Sequence, residues 1–179
     1  MKLFKKLAAA ALAAVLALSM VGCGNANSVN STKQLVLDLM ADYAALDESE
    51  LSNTAEMDGI AQKLLTEANA AYQDETQTDK TVKALMRAAA EKEGILKEGT
   101  GYEISFVEDY QFKSSLIPEV QKQLMLMQMM DTIEVNGGIA LDATKLDVGV
   151  AVGKIGDKTY AVVVMTSAET AAPGTPDGD

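Results

Sequence analysis

The chain has 179 residues, with 15 basic against 26 acidic side chains, one cysteine and no histidine. A formal charge of −11 makes nucleic acid an unsuitable partner, because an acidic surface repels a phosphate backbone. The missing histidine excludes Ser-His-Asp triads, HExxH sites and histidine-ligated zinc.

In chain order, Lys2, Lys5 and Lys6 come first, followed by an unbroken apolar run over residues 7–18. This is the charged-then-apolar pattern of an export signal, and the run is shorter than the ~20 apolar residues that span a bilayer. Leu18-Ser19-Met20-Val21-Gly22-Cys23 follows, and it resembles the lipobox of bacterial lipoproteins, with Met20 where leucine is usual. Gly22 lets a peptidase approach the backbone. The resemblance implies a signal peptide over 1–22, acylation of Cys23, and a chain anchored to the outer face of the bacterial cytoplasmic membrane. Removing residues 1–22, which carry three lysines and no acid, takes the charge from −11 to −14. So acidic a surface repels anionic lipid, and the covalent lipid on Cys23 becomes the expected hold on the membrane, each buried methylene contributing ~0.8 kcal/mol. With Cys23 consumed by the anchor no disulfide remains, and stability must come from packing.

Residues 23–31 are small and polar and read as a lipidated tether. The rest divides into one domain over 32–166, long enough for a real core, and an acidic tail over 167–179 of Ala, Thr, Pro, Gly and Asp that reads as disordered. A first helix is predicted from about Thr32, capped by Ser31, with Leu35, Val36, Leu39, Met40, Tyr43 and Leu46 at helical spacing. A second follows a cap at Ser52 or Asn53. Asn53 stands three residues before Glu56, the spacing of a capping box, and Met57, Ile60, Ala61, Leu64, Leu65, Ala68 and Tyr72 form the apolar stripe. A third starts near Thr78 or Asp79, shows Val82, Leu85, Met86 and Ala89 on one side, and stops at Gly94.

A strand is predicted over 102–107, with Tyr102, Ile104 and Phe106 on one face and Glu103 and Ser105 on the other. A fourth helix opens at Pro118 and runs to about Met130, and residues 131–145 read as a long irregular connection. Two strands over 146–153 and 158–165 close the domain as a hairpin around Ile155-Gly156-Asp157. In the first, Val148, Val150 and Val152 alternate with Gly149, Ala151 and Gly153, so something must pack very close to the small-residue face. The second is apolar on both faces, as expected of a central strand covered above and below. The order of elements fits an α/β fold, a three-layer α/β/α sandwich on a mainly antiparallel sheet, helices first and a closing β-hairpin.

Residues 101–104 (Gly-Tyr-Glu-Ile), 147–152 (Asp-Val-Gly-Val-Ala-Val) and 159–164 (Thr-Tyr-Ala-Val-Val-Val), after a helical half, look like the CAP superfamily of cysteine-rich secretory, antigen 5 and pathogenesis-related proteins. That resemblance spans most of 32–166. It implies a cavity near Glu103, which lies close to the family's acidic strand residue. The family's cavity histidines have no counterpart here, so the resemblance implies a binding role without metal.

Candidate chemistry is thin. No Ser-x-x-Lys and no phosphate-binding glycine fingerprint occurs, and Ile133 and Val135 fall where an EF-hand needs oxygen donors. Glu103 with Glu108 or Asp109 is a possible acid–base or calcium pair, although carboxylates this abundant read first as solvated surface. Tyr102 and Tyr110 flank Glu103 as candidate cavity walls. Met125, Met127, Met129 and Met130 read as adaptable core, with a pliable apolar ligand surface as the sharper alternative; copper binding by thioethers suits them poorly, since neighbouring helical positions diverge. The expectation is a membrane-anchored extracytoplasmic lipoprotein that acts as a non-catalytic binding or interaction module for a protein or small molecule, without cofactor or metal. The alternatives are a carrier or receptor for a small apolar ligand and a carboxylate-dependent hydrolase.

Overall fold

A computed structural model describes residues 28–46, 49–108, 125, 127, 129, 131–140 and 142–167. Cys23, Tyr110, Met130, Pro118 and the 167–179 tail beyond Ser167 lie outside the described residues. The described chain runs α1 (Ser28–Leu46), β1 (Glu50–Asn53), α2 (Ala55–Gln73), α3 (Val82–Ala90), β2 (Tyr102–Glu108), β3 (Ile133–Val135), β4 (Lys145–Ile155) and β5 (Lys158–Ser167). It is a mixed α/β arrangement: one five-stranded sheet in the order β1-β4-β5-β2-β3, with β1 parallel to β4 and the other pairs antiparallel.

Two buried clusters form on opposite faces of the sheet, because β5 is apolar on both. Ala161, Val163 and Met165 join Val148 and Val150 of β4 beneath Val36, Leu39 and Met40 of α1. Tyr160, Val162 and Val164 join Ile104 beneath the stripes of α2 (Ile60, Ala61, Leu64, Leu65, Ala68) and α3 (Leu85, Met86, Ala89). The hairpin forms as the sequence predicts. Ile155 pairs with Lys158, and the two-residue turn between them has a positive φ at Gly156.

The small-residue face of β4 receives α2. A Cβ at Gly149 would lie 2.0 Å from the carbonyl carbon of Met57 and 2.1 Å from its oxygen, so the first turn of α2 rests directly on the strand backbone. At Gly153 the nearest atom is Leu65 Cδ2 at 2.7 Å. Asp58 fixes this approach by gathering three elements: it accepts from Val150 N–H (3.0 Å), from Asn53 Nδ2 (2.9 Å) and from Lys33 Nζ of α1 (2.5 Å). Burial works against ionisation of Asp58, but these donors outweigh it and hold the carboxyl below its usual range.

Several boundaries differ from the sequence reading. α1 begins at Ser28, inside the span read as tether. The cap of α2 is Thr54, whose hydroxyl accepts from Met57 N–H (3.2 Å). Asn53 is instead the last residue of β1, where its side chain also donates to Val148 O (2.9 Å), and so it forms no capping box with Glu56. α3 starts later than expected, with Thr81 as its cap. The connection read as irregular contains β3, which pairs with β2 through Ile104–Ile133, Glu103–Glu134 and Tyr102–Val135.

Candidate functional site

Alternation along β2 decides which side chains can meet. Tyr102, Ile104 and Phe106 face the cluster under α2 and α3, whereas Val107 belongs to the opposite cluster, and with it Glu103 and Ser105 by parity. Tyr102 is 1% exposed and its hydroxyl accepts from Lys97 N–H (3.3 Å). Tyr102 and Glu103 therefore line opposite faces and do not share a cavity. Glu108 also parts from Glu103, since a five-residue step along a strand changes face and separates them by roughly 16 Å. Glu108 ends the strand in an ion pair with Lys158 (3.1 Å). Asp109 lies outside the described residues.

The reading of Glu103 as solvated surface is overturned: it is 3% exposed, and Ser105 on the same face is 1% exposed. Their cover comes from two segments. Met125 and Met129 are helical and fully buried in the same cluster, and Ser105 Oγ donates to the Met129 carbonyl (3.2 Å). Met127, at 68% exposure, faces outward, so the methionines divide between core and surface. The core reading holds for Met125 and Met129.

The second cover is the turn after β3. Asn136, Gly137 and Gly138 all have positive φ, which sends the chain back over the end of the sheet. Asn136 Nδ2 donates to Thr100 O (2.9 Å) and Gly138 N–H to Val135 O (3.1 Å). A Cβ at Gly101 would come within 2.0 Å of Gly138 O, so glycine is required for the turn to seat. Seating the turn brings the Ile139 N–H onto the Glu103 carboxyl.

Glu103 is thus a carboxyl in an apolar setting. Burial raises its pKa above the usual 4.5, and the Ile139 N–H offsets this in part. Across the strand pair stands Glu134, which is exposed at the sheet edge. Thr132 precedes β3 and is 8% exposed. Since Ile133 belongs to the cluster under α2 and α3, Thr132 and Glu134 fall on the face of Glu103 and Ser105. Met165, Val163, Val107, Met125 and Met129 make the rest of this face apolar. Among the described residues no group of three or more acidic or cysteine side chains could hold a metal ion.

The sequence singles out Glu103. It misses Thr132, Glu134 and the Ile139 amide, which belong to the stretch read as irregular. Asn136-Gly137-Gly138 was the available signal, since three residues that tolerate positive φ allow a tight reversal.

The class these features define is a mixed α/β domain with a buried acidic corner on one sheet face. No family model matches the sequence, and no curated protein and no solved structure matches it.

Proposed function

We propose that the protein is a lipoprotein of the bacterial cell envelope, anchored through acyl chains on Cys23 to the outer face of the cytoplasmic membrane, whose domain is a three-layer α/β/α binding module without catalytic activity. The anchor is supported by the charged and apolar leader and by Leu-Ser-Met-Val-Gly immediately before the single cysteine. The layered arrangement is supported by α1 on one cluster and α2 with α3 on the other.

The binding role is carried by one observation: Glu103 is a buried carboxyl whose Oε2 has no hydrogen-bonding partner, on a face otherwise lined by methionine and valine. A buried carboxyl with one open oxygen is suited to orient a guest. The apolar wall beside it favours a small ligand with a hydrocarbon part, the carrier form of the same role.

A second reading, a carboxylate-dependent hydrolase, is favoured by one feature. Glu103 and Glu134 are directly paired across β2 and β3 in unequal surroundings, one buried and one exposed. Glu134→Gln would abolish hydrolysis on this reading and leave binding unaffected on the first.

The test is the full chain extracted from its native membranes. Intact mass should show a chain beginning at Cys23 with added acyl mass, and cross-linking in the envelope should capture a component whose retention falls in Glu103→Leu. A chain that retains Met1 or carries a free thiol at position 23 overturns the anchor. Capture that Glu103→Leu leaves unchanged overturns the assigned site.

A further inference from the structure

Among the described residues, two buried side-chain oxygens have no hydrogen-bonding partner: Glu103 Oε2 and Thr132 Oγ1. Both side chains are more than nine-tenths buried, and both lie on the same face of the β2–β3 pair. Folded proteins satisfy nearly all buried polar atoms, so two open ones on one sheet face call for a use.

Their surroundings limit what they can hold. The two oxygens of Glu103 are not equivalent. Oε1 lies against Gly138, 3.6 Å from where a Cβ would be, on the side from which Ile139 donates, and Oε2 is left open. Continuing the register one step past Ile104–Ile133 sets Thr132 beside Ser105 and diagonal to Glu103, about 7 Å or less between Cβ atoms. Ser105 is already committed to the Met129 carbonyl. The open pair is therefore one carboxyl oxygen and one hydroxyl on neighbouring strand positions.

We propose that Glu103 Oε2 and Thr132 Oγ1 anchor a binding site for an uncharged ligand bearing an amide, the carboxyl oxygen accepting from the amide N–H and the threonine hydroxyl donating to the amide carbonyl. This rests on the reading of the domain as a binding module, and supplies its ligand chemistry. A carboxyl oxygen accepts and a hydroxyl donates, the combination an amide's N–H and carbonyl match. A metal ion would need further anionic oxygens inside the face, where Glu103 stands alone among the described residues, Glu134 being exposed. An anion would meet an acidic protein and no cation at the site among the described residues. Met129, Met165, Val163 and Ile139, buried in the same cluster, offer an apolar wall to a short aliphatic substituent.

The experiment titrates the full mature chain, in detergent and labelled with ¹³C at glutamate carboxyls, with isobutyramide, with N-acetylalanine amide and with calcium chloride. A saturable shift of the Glu103 carboxyl with an amide is expected, weakened at least tenfold in Thr132→Val. Because the free hydroxyl has no partner, Thr132→Val should leave the urea midpoint unchanged or raise it. A structural hydroxyl would lower the midpoint instead, and that result overturns the proposal. So do the absence of a saturable shift with either amide, an unchanged amide affinity in Thr132→Val, and a shift that calcium saturates at lower concentration than the amides. If N-acetylalanine amide binds at least tenfold tighter than isobutyramide the source is a peptide chain; comparable binding assigns a free small amide. A chain that captures an envelope component but shows no amide shift overturns the amide assignment alone and leaves the binding reading standing.

Discussion

Gly149→Ala should be among the most damaging single-methyl additions in the domain. The new Cβ would sit 2.0 Å from the carbonyl carbon of Met57 and 2.1 Å from its oxygen, where relaxed carbon contacts lie at roughly 3.5–4.0 Å. The obstacle is backbone, so no rotamer change relieves it, and α2 must retreat by roughly 1.5 Å to reach that contact distance. Retreat strains the bonds that fasten the helix start to β4, Asp58 to Val150 N–H (3.0 Å) and Thr54 N–H to Val148 O (3.2 Å). Overpacking of this kind costs about 1–3 kcal/mol, and each weakened bond adds up to ~1 kcal/mol. The reduced freedom of the unfolded chain returns only about 0.4–1 kcal/mol, leaving a net loss of about 3 kcal/mol. Gly153→Ala is the internal control. Its Cβ meets only Leu65 Cδ2 at 2.7 Å, the end of a flexible side chain. An off-rotamer leucine costs about 1 kcal/mol, which the same entropic gain nearly cancels. Urea unfolding followed by far-ultraviolet circular dichroism should separate the two variants by at least ~2 kcal/mol, a large part of a typical domain's stability. Equal losses, or a Gly149→Ala loss below ~1 kcal/mol, would show that α2 does not rest on the β4 backbone.

The remaining predictions concern charge and capping. Asp58→Ala leaves Val150 N–H without its acceptor and should cost about 2–3 kcal/mol in the same urea assay. The pKa of Asp58 is lowered in the folded protein, so its contribution is present above the usual 3.8 and lost as pH falls through the lowered value. Asp58→Asn should remove that part of the acid limb of the stability profile. Glu103 has the opposite sign. Its raised pKa means that the folded state holds a proton the unfolded state releases, so stability falls as pH rises from 4.5 toward the folded value. Glu103→Gln should flatten that decline, and an unaltered profile would mean that Glu103 is not buried as described. Thr54→Ala should lose about 1 kcal/mol by removing the α2 cap, whereas alanine at Ser52, which makes no cap, should stay within about 0.5 kcal/mol.

Much of the fold was legible because its central strands carry strong local patterns. β4 announces a close neighbour through Gly149, Ala151 and Gly153, and β5 announces two covered faces by being apolar throughout. The edges were harder. β1 is four residues, Glu-Leu-Ser-Asn, with three exposed positions, and its parallel pairing with β4 crosses more than ninety positions, so nothing local marks it as a strand. Reading Asn53 as a cap followed from that omission, since a residue paired to Val148 at the end of a strand cannot also serve as the first turn's acceptor. β3 is three residues ending at the Asn136 turn, too short for period-two alternation to register. Glu103 was found by residue type, but its burial was not, because the cover is supplied by residues 22 or more positions away. A glutamate beside a serine reads as a wet face until the segments over it are known.

The two sheet faces differ in how closely they are specified, and this bears on where function lies. Under α2, glycine lets backbone meet backbone, and one carboxylate draws donors from α1, β1 and β4. A small displacement there breaks several interactions at once, so that face tolerates little movement. Across the sheet the β2–β3 end is covered by long methionine side chains and by a turn with three positive φ values, and its buried polar atoms are only partly satisfied. Methionine adapts its shape at low cost, and an unsatisfied acid gains on meeting a partner. Stability is thus concentrated where α2 lies on β4, while the face bearing Glu103 and Thr132 carries adaptable side chains and polar atoms whose pairing would stabilise it, which supports the proposed binding role.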